Sequence, residues 1–370
     1  MIVLGIEGSA NKIGIGIIKD DMILANERFT FITPPGTGFI PFETAKHHRK
    51  KIIELLKISM EKAKIKLDDI DLFAYTRGPG IAPCLMVCAL VTRLLSLKFK
   101  KPLIAVNHCI GHIEMGRFIT KAKNPVVLYV SGGNTQVIAY SRGYYQIFGE
   151  TLDVAVGNVI DRVARYLGLP NDPCPGYNVE KKALEGSKFV YLPVSVKGMD
   201  VSFSGVASTI KKMIKEGNII FDDSLIQKIE KNLNLDISEN NKSNKDIKID
   251  DNNKGSKFTV ADICFSMQEA LFSSLIEVAE RAMSFIGTNE VLITGGVGCN
   301  KKLQEMMAMM VKERNGHVYA TDEKFCIDNG LMIAYTGKIM YESGIRTELS
   351  ESDVTQRFRT DSTKAIWRDN

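Results

Sequence analysis

Residues 2–18, IVLGIEGSANKIGIGII, contain the pattern that decides the fold. An apolar, β-branched run ends at the turn sequence Gly-Ser-Ala-Asn, and a second run follows in which isoleucine alternates with glycine. After Asp20-Asp21, residues 22–32 form a third run of extended character. Such runs, separated by Gly, Asn and Asp, predict three β-strands joined by tight turns.

The same unit occurs again about 120 residues later in the chain. Strands are predicted at 126–130 (VVLYV), 135–140 and 144–148, with SGGN at 131–134 as the first turn. Helices are predicted over 44–66 and 81–99 after the first unit, and over 154–167 and 177–184 after the second. Internal repetition is a strong indicator of architecture. We therefore predict an α/β protein in which two duplicated lobes face one cleft.

Glycine-rich turns indicate what the cleft binds. Backbone N–H groups in such turns can gather around a phosphate, although a single glycine turn is usually only hairpin geometry. Here two equivalent turns occur, and a late strand at 291–293 runs into a third glycine cluster, GGVG at 295–298. Together they favour a nucleotide bound between the lobes.

Composition narrows the function classes. The 370 residues allow two or three domains. The net charge of +5 is compatible with a nucleic-acid partner but too weak to prove one. Seven scattered cysteines without a C-x-x-C pair predict reduced thiols and a cytoplasmic or nuclear location. The sequence has no uninterrupted apolar run of about 18 residues, so a membrane span is not expected. The N-terminus does not resemble a secretory signal.

Residues 217–257 differ in composition from the rest of the chain. The stretch DISENNKSNKDIKIDDNNKGSK is rich in Asn, Lys and Asp and has no aromatic residue. Such a segment buries too little apolar surface to offset its ordering entropy. We predict a solvated low-complexity insertion.

Two histidines are candidate metal ligands. In NHCIGHIEMGR, residues 107–117, His108 and His112 would lie one turn apart on one face of a helix. A pair of half-buried helix histidines is the alternative. Glu114 follows the second histidine, so the H-E-x-x-H pattern of thermolysin-type proteases is missing. Asp328, in a turn that opens a helix, is a candidate third ligand or a simple N-cap.

Ten motifs in order extend over nearly the whole chain: GIEGSANKIGIGI (5–17), TRGPG (76–80), NHCIGHIEMGR (107–117), YVSGGNTQVI (129–138), DVAVGNVIDRVAR (153–165), NDPCPGYNVE (171–180), SFSGV (202–206), TGGVGCN (294–300), CIDNG (326–330) and VTQRFRTD (354–361). In these motifs the chain resembles the tRNA threonylcarbamoyladenosine-transferase family, once named for an O-sialoglycoprotein endopeptidase activity. Its opening and closing motifs are similar to the eukaryotic–archaeal branch, the catalytic subunit of the KEOPS complex.

The resemblance implies a fold and a reaction. The fold is the actin-like ATPase (ASKHA) fold of two ribonuclease-H-like lobes, with residues 1–121 completed by 333–370 as the N-terminal lobe and 122–332 as the C-terminal lobe. The reaction transfers the threonylcarbamoyl group from threonylcarbamoyl-adenylate to N6 of the adenosine at position 37 in tRNAs reading ANN codons, and AMP leaves.

The resemblance also implies site residues. One divalent metal ion, whether iron, zinc or magnesium, would be held by His108, His112, Tyr129 and Asp328. The phosphate and acyl part of the adenylate would lie on Tyr129, Val130, Ser131, Gly132 and Gly133. Its ribose and base would contact Asp161, Gly176 and Glu180, with Asn300 nearby. No dedicated catalytic residue is implied, because a metal-assisted reaction needs orientation and carbonyl polarisation rather than a nucleophile. A surface ion pair with Arg162 is the alternative for Asp161, and a solvated helix position for Glu180.

The implied partners are the tRNA and the other KEOPS subunits: a kinase-like ATPase, a dimerisation subunit and an accessory regulator of the kinase-like subunit. No membrane is implied, and the implied location is the cytoplasm and nucleus.

The sequence around His47-His48 is basic and includes Lys46, Arg49 and Lys50. This segment could contact tRNA phosphates, or one of its histidines could accept the proton from the attacking amine. The alternative is a solvated helix face. Arg357 and Arg359 are weaker candidates for tRNA contact, and the alternative is that they are solvated or paired with Asp361.

Two other functions are compatible with parts of the pattern. An actin-fold ATPase or sugar kinase would use the glycine turns, but it would leave the two histidines and Asp328 unexplained. A metallopeptidase is favoured only by the old family name.

Overall fold

The computed structural model describes residues 1–34, 37–38, 40–221, 229 and 257–368. Most of the predicted insertion, 217–257, lies outside the described residues. Ile219 and Phe221, near its beginning, are buried in the protein core rather than solvated.

The chain forms strands and helices in the alternating order of an α/β protein. The strands are β1 (Ile2–Glu7), β2 (Lys12–Lys19), β3 (Met22–Thr30), β4 (Leu72–Gly78), β5 (Leu103–Asn107), β6 (Val126–Val130), β7 (Thr135–Ser141), β8 (Tyr144–Glu150), β9 (Ser195–Lys197), β10 (Asp200–Ser202), β11 (Ile219–Ile220), β12 (Phe258–Thr259), β13 (Glu290–Thr294) and β14 (His317–Ala320). The helices are α1 (Pro41–Ala63), α2 (Ala82–Phe99), α3 (His108–Thr120), α4 (Val156–Tyr166), α5 (Pro175–Ala183), α6 (Ser204–Lys215), α7 (Val260–Ile286), α8 (Lys301–Glu313), α9 (Glu323–Cys326) and α10 (Gly330–Glu342).

Two five-stranded sheets have the same topology. Their strand orders are β3-β2-β1-β4-β5 and β8-β7-β6-β13-β14. In each sheet the first three strands are antiparallel neighbours, and two further strands add in parallel. This identity confirms the duplication predicted from the repeated strand-turn-strand-turn-strand pattern.

The alternating glycines of β2 determine how the first sheet packs. Successive side chains of a strand point to opposite faces, so Ile15 and Ile17 face one side and Gly14 and Gly16 the other. The isoleucines pack in a core with residues of α1 and α2. On the glycine face lies α10, so close that a Cβ on Gly16 would stand 2.1 Å from the Leu331 nitrogen. The missing side chains therefore let this helix rest directly on the strand backbone.

The last part of the chain contacts both sheets. Helix α10 packs on β1, β2 and β4 of the first sheet. Further along, the N–H of Ala365 donates to the carbonyl of Gly143, next to the second sheet, at 2.8 Å. The lobe boundaries proposed from the sequence stay a prediction.

Helix α2 departs from the expectation drawn from composition. Among the described residues it is the one helix long and apolar enough to cross a membrane by length and composition alone. Arg93 and Lys98 interrupt its apolar run, so the sequence contains no uninterrupted apolar stretch of that length here. Its inner face, including Leu85 and Cys88, is buried. Mostly buried core helices pass the same test, and 39% of this helix is buried.

Candidate functional site

Helix α3 presents both histidines on one face. Asn107, the last residue of β5, is its N-cap, and its side-chain oxygen accepts the N–H groups of Cys109 (2.9 Å) and Ile110 (3.2 Å). The helix thus begins at His108, and His112 follows one turn later with its ring centroid 4.8 Å from that of His108. Both side chains are buried.

Asp328 completes a three-residue cluster. Its Oδ1 lies 3.1 Å from His112 Nε2 and 3.7 Å from His108 Nε2. Ligand atoms of the three residues all fall within 4.8 Å of one another. The N-cap alternative for Asp328 is wrong, because Asn329 caps α10 by accepting the N–H of Met332 at 3.0 Å. The Asp328 carboxylate is therefore directed to the histidines.

A buried carboxylate orients the first histidine. Glu7, at the end of β1, lies with Oε2 3.1 Å from His108 Nδ1, and Ser9 Oγ lies 3.2 Å from the same nitrogen. Burial opposes charge on Glu7, but His108 holds the pKa of Glu7 below its ordinary value. Burial alone would lower the pKa of His108, and the Glu7 carboxylate more than offsets this, so that pKa is raised. Sequence reasoning missed Glu7; the signal was an acidic residue ending an apolar strand just before a Gly-Ser turn.

Tyr129 lies beside the cluster. It belongs to β6, is fully buried, and its ring centroid is 5.3 Å from that of His112. Its phenol oxygen is buried and has no hydrogen-bond partner among the residues that the structure describes. Gly295, at φ +90°, brings its backbone against the ring, since a Cβ there would lie 3.1 Å from Tyr129 Cε2. A phenol oxygen without a partner at this place can serve as a further ligand of an ion bound by the cluster.

These residues fit a divalent metal ion. Both Nε2 atoms face one carboxylate, and the second nitrogen of His108 is held by Glu7, as metal-binding histidines are usually held by an outer carboxylate. Two imidazoles with one carboxylate suit zinc or iron better than magnesium, which prefers oxygen ligands. The His-His-Asp group is therefore a candidate metal centre.

Further charged residues lie around the cluster. Lys12 Nζ lies 3.8 Å from Asp328 Oδ2. Burial raises the pKa of Asp161, on α4, to about 6, against the opposing charges of Arg165 and Lys12. The alternative for Asp161 was a surface ion pair with Arg162, but the charges that act on its carboxyl are those of Arg165 and Lys12. Lys12 was missed in the sequence, although it directly follows the first glycine turn.

The turn after β6 is open to a ligand. Ser131 Oγ accepts the N–H groups of Gly133 (3.3 Å) and Asn134 (3.0 Å), which fixes the turn. A Cβ added at Gly132 or Gly133 would meet nothing within 4 Å. Val130, by contrast, is buried in its strand. The turn thus leaves space where the resemblance implies a phosphate.

The remaining predicted binding residues lie around α5 and α8. Glu180 is partly exposed on α5, and its Oε1 accepts the N–H of Lys301 at 2.8 Å. Asn300 caps α8 through the N–H of Leu303 and donates to Gln268 Oε1 at 2.7 Å. Gly176, in the first turn of α5, faces Ile160 at 3.9 Å from an added Cβ. Contacts of these residues with ribose and base stay a prediction.

The basic segment of α1 divides into buried and exposed parts. His48 is buried, its Nε2 lies 2.9 Å from the carbonyl of Ala10, and burial lowers its pKa to about 4. It therefore joins α1 to the first glycine turn as a neutral side chain. Lys50 is exposed. Arg359, one of the weaker candidates for tRNA contact, is ion-paired with Asp361 at 3.0 Å.

Solved structures with a similar fold are distant in sequence. HypF from T. kodakarensis matches with a TM-score of 0.56 and 14% identity over 93% of this chain and 48% of that chain. Component A of the (R)-2-hydroxyglutaryl-CoA dehydratase of Acidaminococcus fermentans matches with a TM-score of 0.51 and 14% identity over 91% of this chain and 97% of that chain. At this identity the likeness concerns the fold alone, and it confirms the predicted ASKHA fold.

Sequence relatives are much closer. The family model described as tRNA N6-adenosine threonylcarbamoyltransferase matches residues 22–335. A probable enzyme of that name from Drosophila melanogaster is 55% identical, covering 99% of each chain. The enzyme of that name from Encephalitozoon cuniculi is 55% identical, covering 100% of each chain, and that from Bos taurus is 52% identical over 99% of each. With a His-His-Asp group that could hold a metal ion, and with relatives of this identity and coverage, the chain belongs to the tRNA N6-adenosine threonylcarbamoyltransferase family.

Proposed function

We propose that the chain transfers a threonylcarbamoyl group from threonylcarbamoyl-adenylate to N6 of adenosine 37 in tRNAs that read ANN codons. The observation that carries this proposal is the convergence of His108, His112 and Asp328 beside Tyr129, on the strand that leads into the open turn at Ser131. Adenosine N6 attacks the carbonyl carbon, the bond from that carbon to the phosphate oxygen breaks, AMP leaves with the electron pair, and N6 loses a proton.

The chemistry sets what the site must supply. A mixed anhydride with phosphate already has a good leaving group, whereas an exocyclic adenine amine is a weak nucleophile. Orientation of the two reactants and polarisation of the carbonyl are therefore the main needs. Neither requires a covalent intermediate with the protein.

Each part of the site has a role in this proposal. His108, His112, Asp328 and Tyr129 would hold a divalent ion, which as a Lewis acid polarises oxygens of the donor. Glu7 fixes the ring of His108 through Nδ1. The turn at 131–133 receives the phosphate, and Lys12 supplies positive charge beside Asp328. Asp161 and Glu180 accept hydrogen bonds from the ribose.

The proposal includes partners and a location. The family name implies a tRNA substrate. We propose the kinase-like ATPase, dimerisation and accessory regulatory subunits of KEOPS as further partners, and the cytoplasm and nucleus as the location. The likeness of the motifs to the eukaryotic–archaeal branch supports these assignments.

Reconstitution tests the reaction. The chain, its proposed partner subunits, synthetic threonylcarbamoyl-adenylate and an unmodified ANN-reading tRNA are mixed, and the digested tRNA is analysed by mass spectrometry. We expect threonylcarbamoyladenosine and an equal amount of AMP. Steady ATP turnover without the donor, no modified nucleoside, and no effect of His108→Ala would contradict the proposal and support an ATPase.

Metal binding is expected to stabilise the fold. A ligand that binds only the native chain adds about 2.7 kcal/mol to the free energy of unfolding at a concentration of 100 Kd. We therefore expect Zn²⁺ to raise the urea midpoint of metal-free protein, measured by circular dichroism. His108→Ala should respond little, because one of the two imidazoles is gone. An equal response in both proteins would place the metal elsewhere.

Lys50 is expected to contact tRNA phosphates. It is exposed on α1, near His48, which joins the helix to the glycine turn beside the site. Lys50→Glu should reduce the slope of log affinity against log salt concentration by about 1 for each lost phosphate contact. Fluorescence anisotropy with labelled tRNA measures the slope. Lys312→Glu, at an exposed position of α8, is the matched control. An unchanged slope for Lys50→Glu rejects the contact.

A further inference from the structure

The final described segment connects the two sheets. We name residues 352–368 the C-terminal strap. The N–H of Thr355 donates to the carbonyl of Arg77 on β4 at 2.9 Å, and the N–H of Ala365 donates to the carbonyl of Gly143 beside β8 at 2.8 Å. The strap therefore leaves the first sheet and ends on the second.

The strap also contacts the beginning of α3. Asn107 caps this helix through its side-chain oxygen, and its Nδ2 donates to the carbonyls of Phe358 (3.3 Å) and Arg359 (3.1 Å). One amide group thus joins the first turn of the helix, at His108, to the strap.

A second contact lies further along the same helix. Glu114 is 1% exposed, and its Oε1 accepts hydrogen bonds from Trp367 Nε1 at 2.7 Å and from the Tyr145 hydroxyl. Arg117 donates to the other oxygen at 2.6 Å, and Arg368 of the strap donates to the Tyr145 hydroxyl at 3.0 Å. A buried carboxylate is costly without such partners. The strap therefore holds α3 at two places.

His112 depends on the helix more than His108 does. Glu7 and Ser9 hold Nδ1 of His108, whereas Nδ1 of His112 is buried with no hydrogen-bond partner in the described part of the chain. The orientation of the His112 ring is thus set by packing and by the placement of α3. Glu114 lies two residues further along that helix.

We propose that Trp367 and Glu114 are positioning residues for the candidate metal centre: the strap fixes α3, and through it the place of His112. This proposal rests on the metal role given under the proposed function. Metal sites tolerate ligand displacements of only about 0.2 Å. A helix released from the strap should therefore bind the ion less tightly, even when the chain stays folded.

Trp367→Phe tests the proposal, because it keeps an aromatic ring and removes the N–H donor to Glu114. Three measurements are made on the full chain: hydrogen–deuterium exchange of α3 amides without metal, Zn²⁺ affinity by competition with a chromogenic chelator, and kcat and KM for tRNA in the reconstituted system. Lys364→Ala, an exposed strap residue, is the matched control.

We expect faster exchange in α3 and a Zn²⁺ affinity about fivefold weaker, below the ~10- to 100-fold typical of losing a direct partner of a ligand. The kcat should fall while KM for tRNA stays unchanged, and Lys364→Ala should match the wild type. Glu114→Gln, which keeps an oxygen acceptor for Trp367, should give smaller changes of the same kind, and it replaces Trp367→Phe if that variant does not fold.

A lower melting temperature for Trp367→Phe with unchanged α3 exchange and Zn²⁺ affinity overturns the proposal, since the strap would then stabilise without positioning. The measurements of hydrogen–deuterium exchange and of Zn²⁺ affinity do not require transferase activity. If the wild type modified no tRNA but both quantities still changed in the variant, the proposed function would fail and the positioning role would stand.

Discussion

His112→Ala is expected to lower the rate of tRNA modification at least about 10³-fold. Loss of one imidazole leaves Asp328 and His108 unable to hold the ion firmly, and the Lewis acid contributes several kcal/mol to the barrier reduction. At 1.36 kcal/mol per factor of ten, a loss of about 4 kcal/mol gives this factor. The rate is measured by mass spectrometry of tRNA digests over time with excess threonylcarbamoyl-adenylate.

The control for this experiment is another histidine. His317 is exposed at the start of β14, and His317→Ala should keep the full rate. Because His112 is buried, its removal leaves a cavity, so circular dichroism is used to check that the variant is folded. The rate measurement is repeated with His112→Asn, whose side chain is larger than that of alanine. Full activity in a folded His112 variant would show that the metal role is wrong.

Gly16→Ala is expected to reduce the free energy of unfolding by about 3 kcal/mol, at the upper end of the cost of overpacking a core. The new Cβ would stand 2.1 Å from the nitrogen and 2.3 Å from the Cα of Leu331. These are backbone atoms of α10, so no side-chain rotation relieves the contact and the helix must shift. Since Asp328 lies two residues before the start of this helix, Zn²⁺ affinity should fall as well. Urea denaturation measures the first effect and chelator competition the second.

Gly38→Ala is the matched substitution, because a Cβ at Gly38 would meet nothing within 4 Å. Its free energy of unfolding should stay within about 0.5 kcal/mol of the wild type. If Gly16→Ala denatures at the wild-type urea concentration, the close approach of α10 to β2 is not a feature of the protein in solution.

Local signals account for the parts of the fold that the sequence predicted. The strands around the two glycine turns follow from short-range periodicity and turn residues, and each predicted helix lies within three residues of its observed bounds. The alternation of Ile15 and Gly16 predicted a strand, but not what covers its glycine face. That partner, α10, is remote in sequence, so no local pattern identifies it.

The candidate site likewise contains residues that local spacing predicted and residues that it did not. Spacing placed His108 and His112 on one face, and Asp328 was a candidate third ligand from its turn, with an N-cap as the alternative. The family resemblance was needed to add Tyr129. Glu7 was overlooked because its role depends on which histidine the folded chain brings to it. The raised pKa of Asp161 likewise comes from burial by surrounding elements, which spacing along the chain does not reveal.

The wide separation of the ligands along the chain has a practical consequence. His112 and Asp328 are 216 positions apart, yet their side chains meet at 3.1 Å. In a denatured chain the two rarely meet, so tight ion binding requires correct tertiary assembly. The molar ratio of tightly bound ion to protein should therefore count the correctly assembled molecules in a purified sample, which makes it a measure of preparation quality.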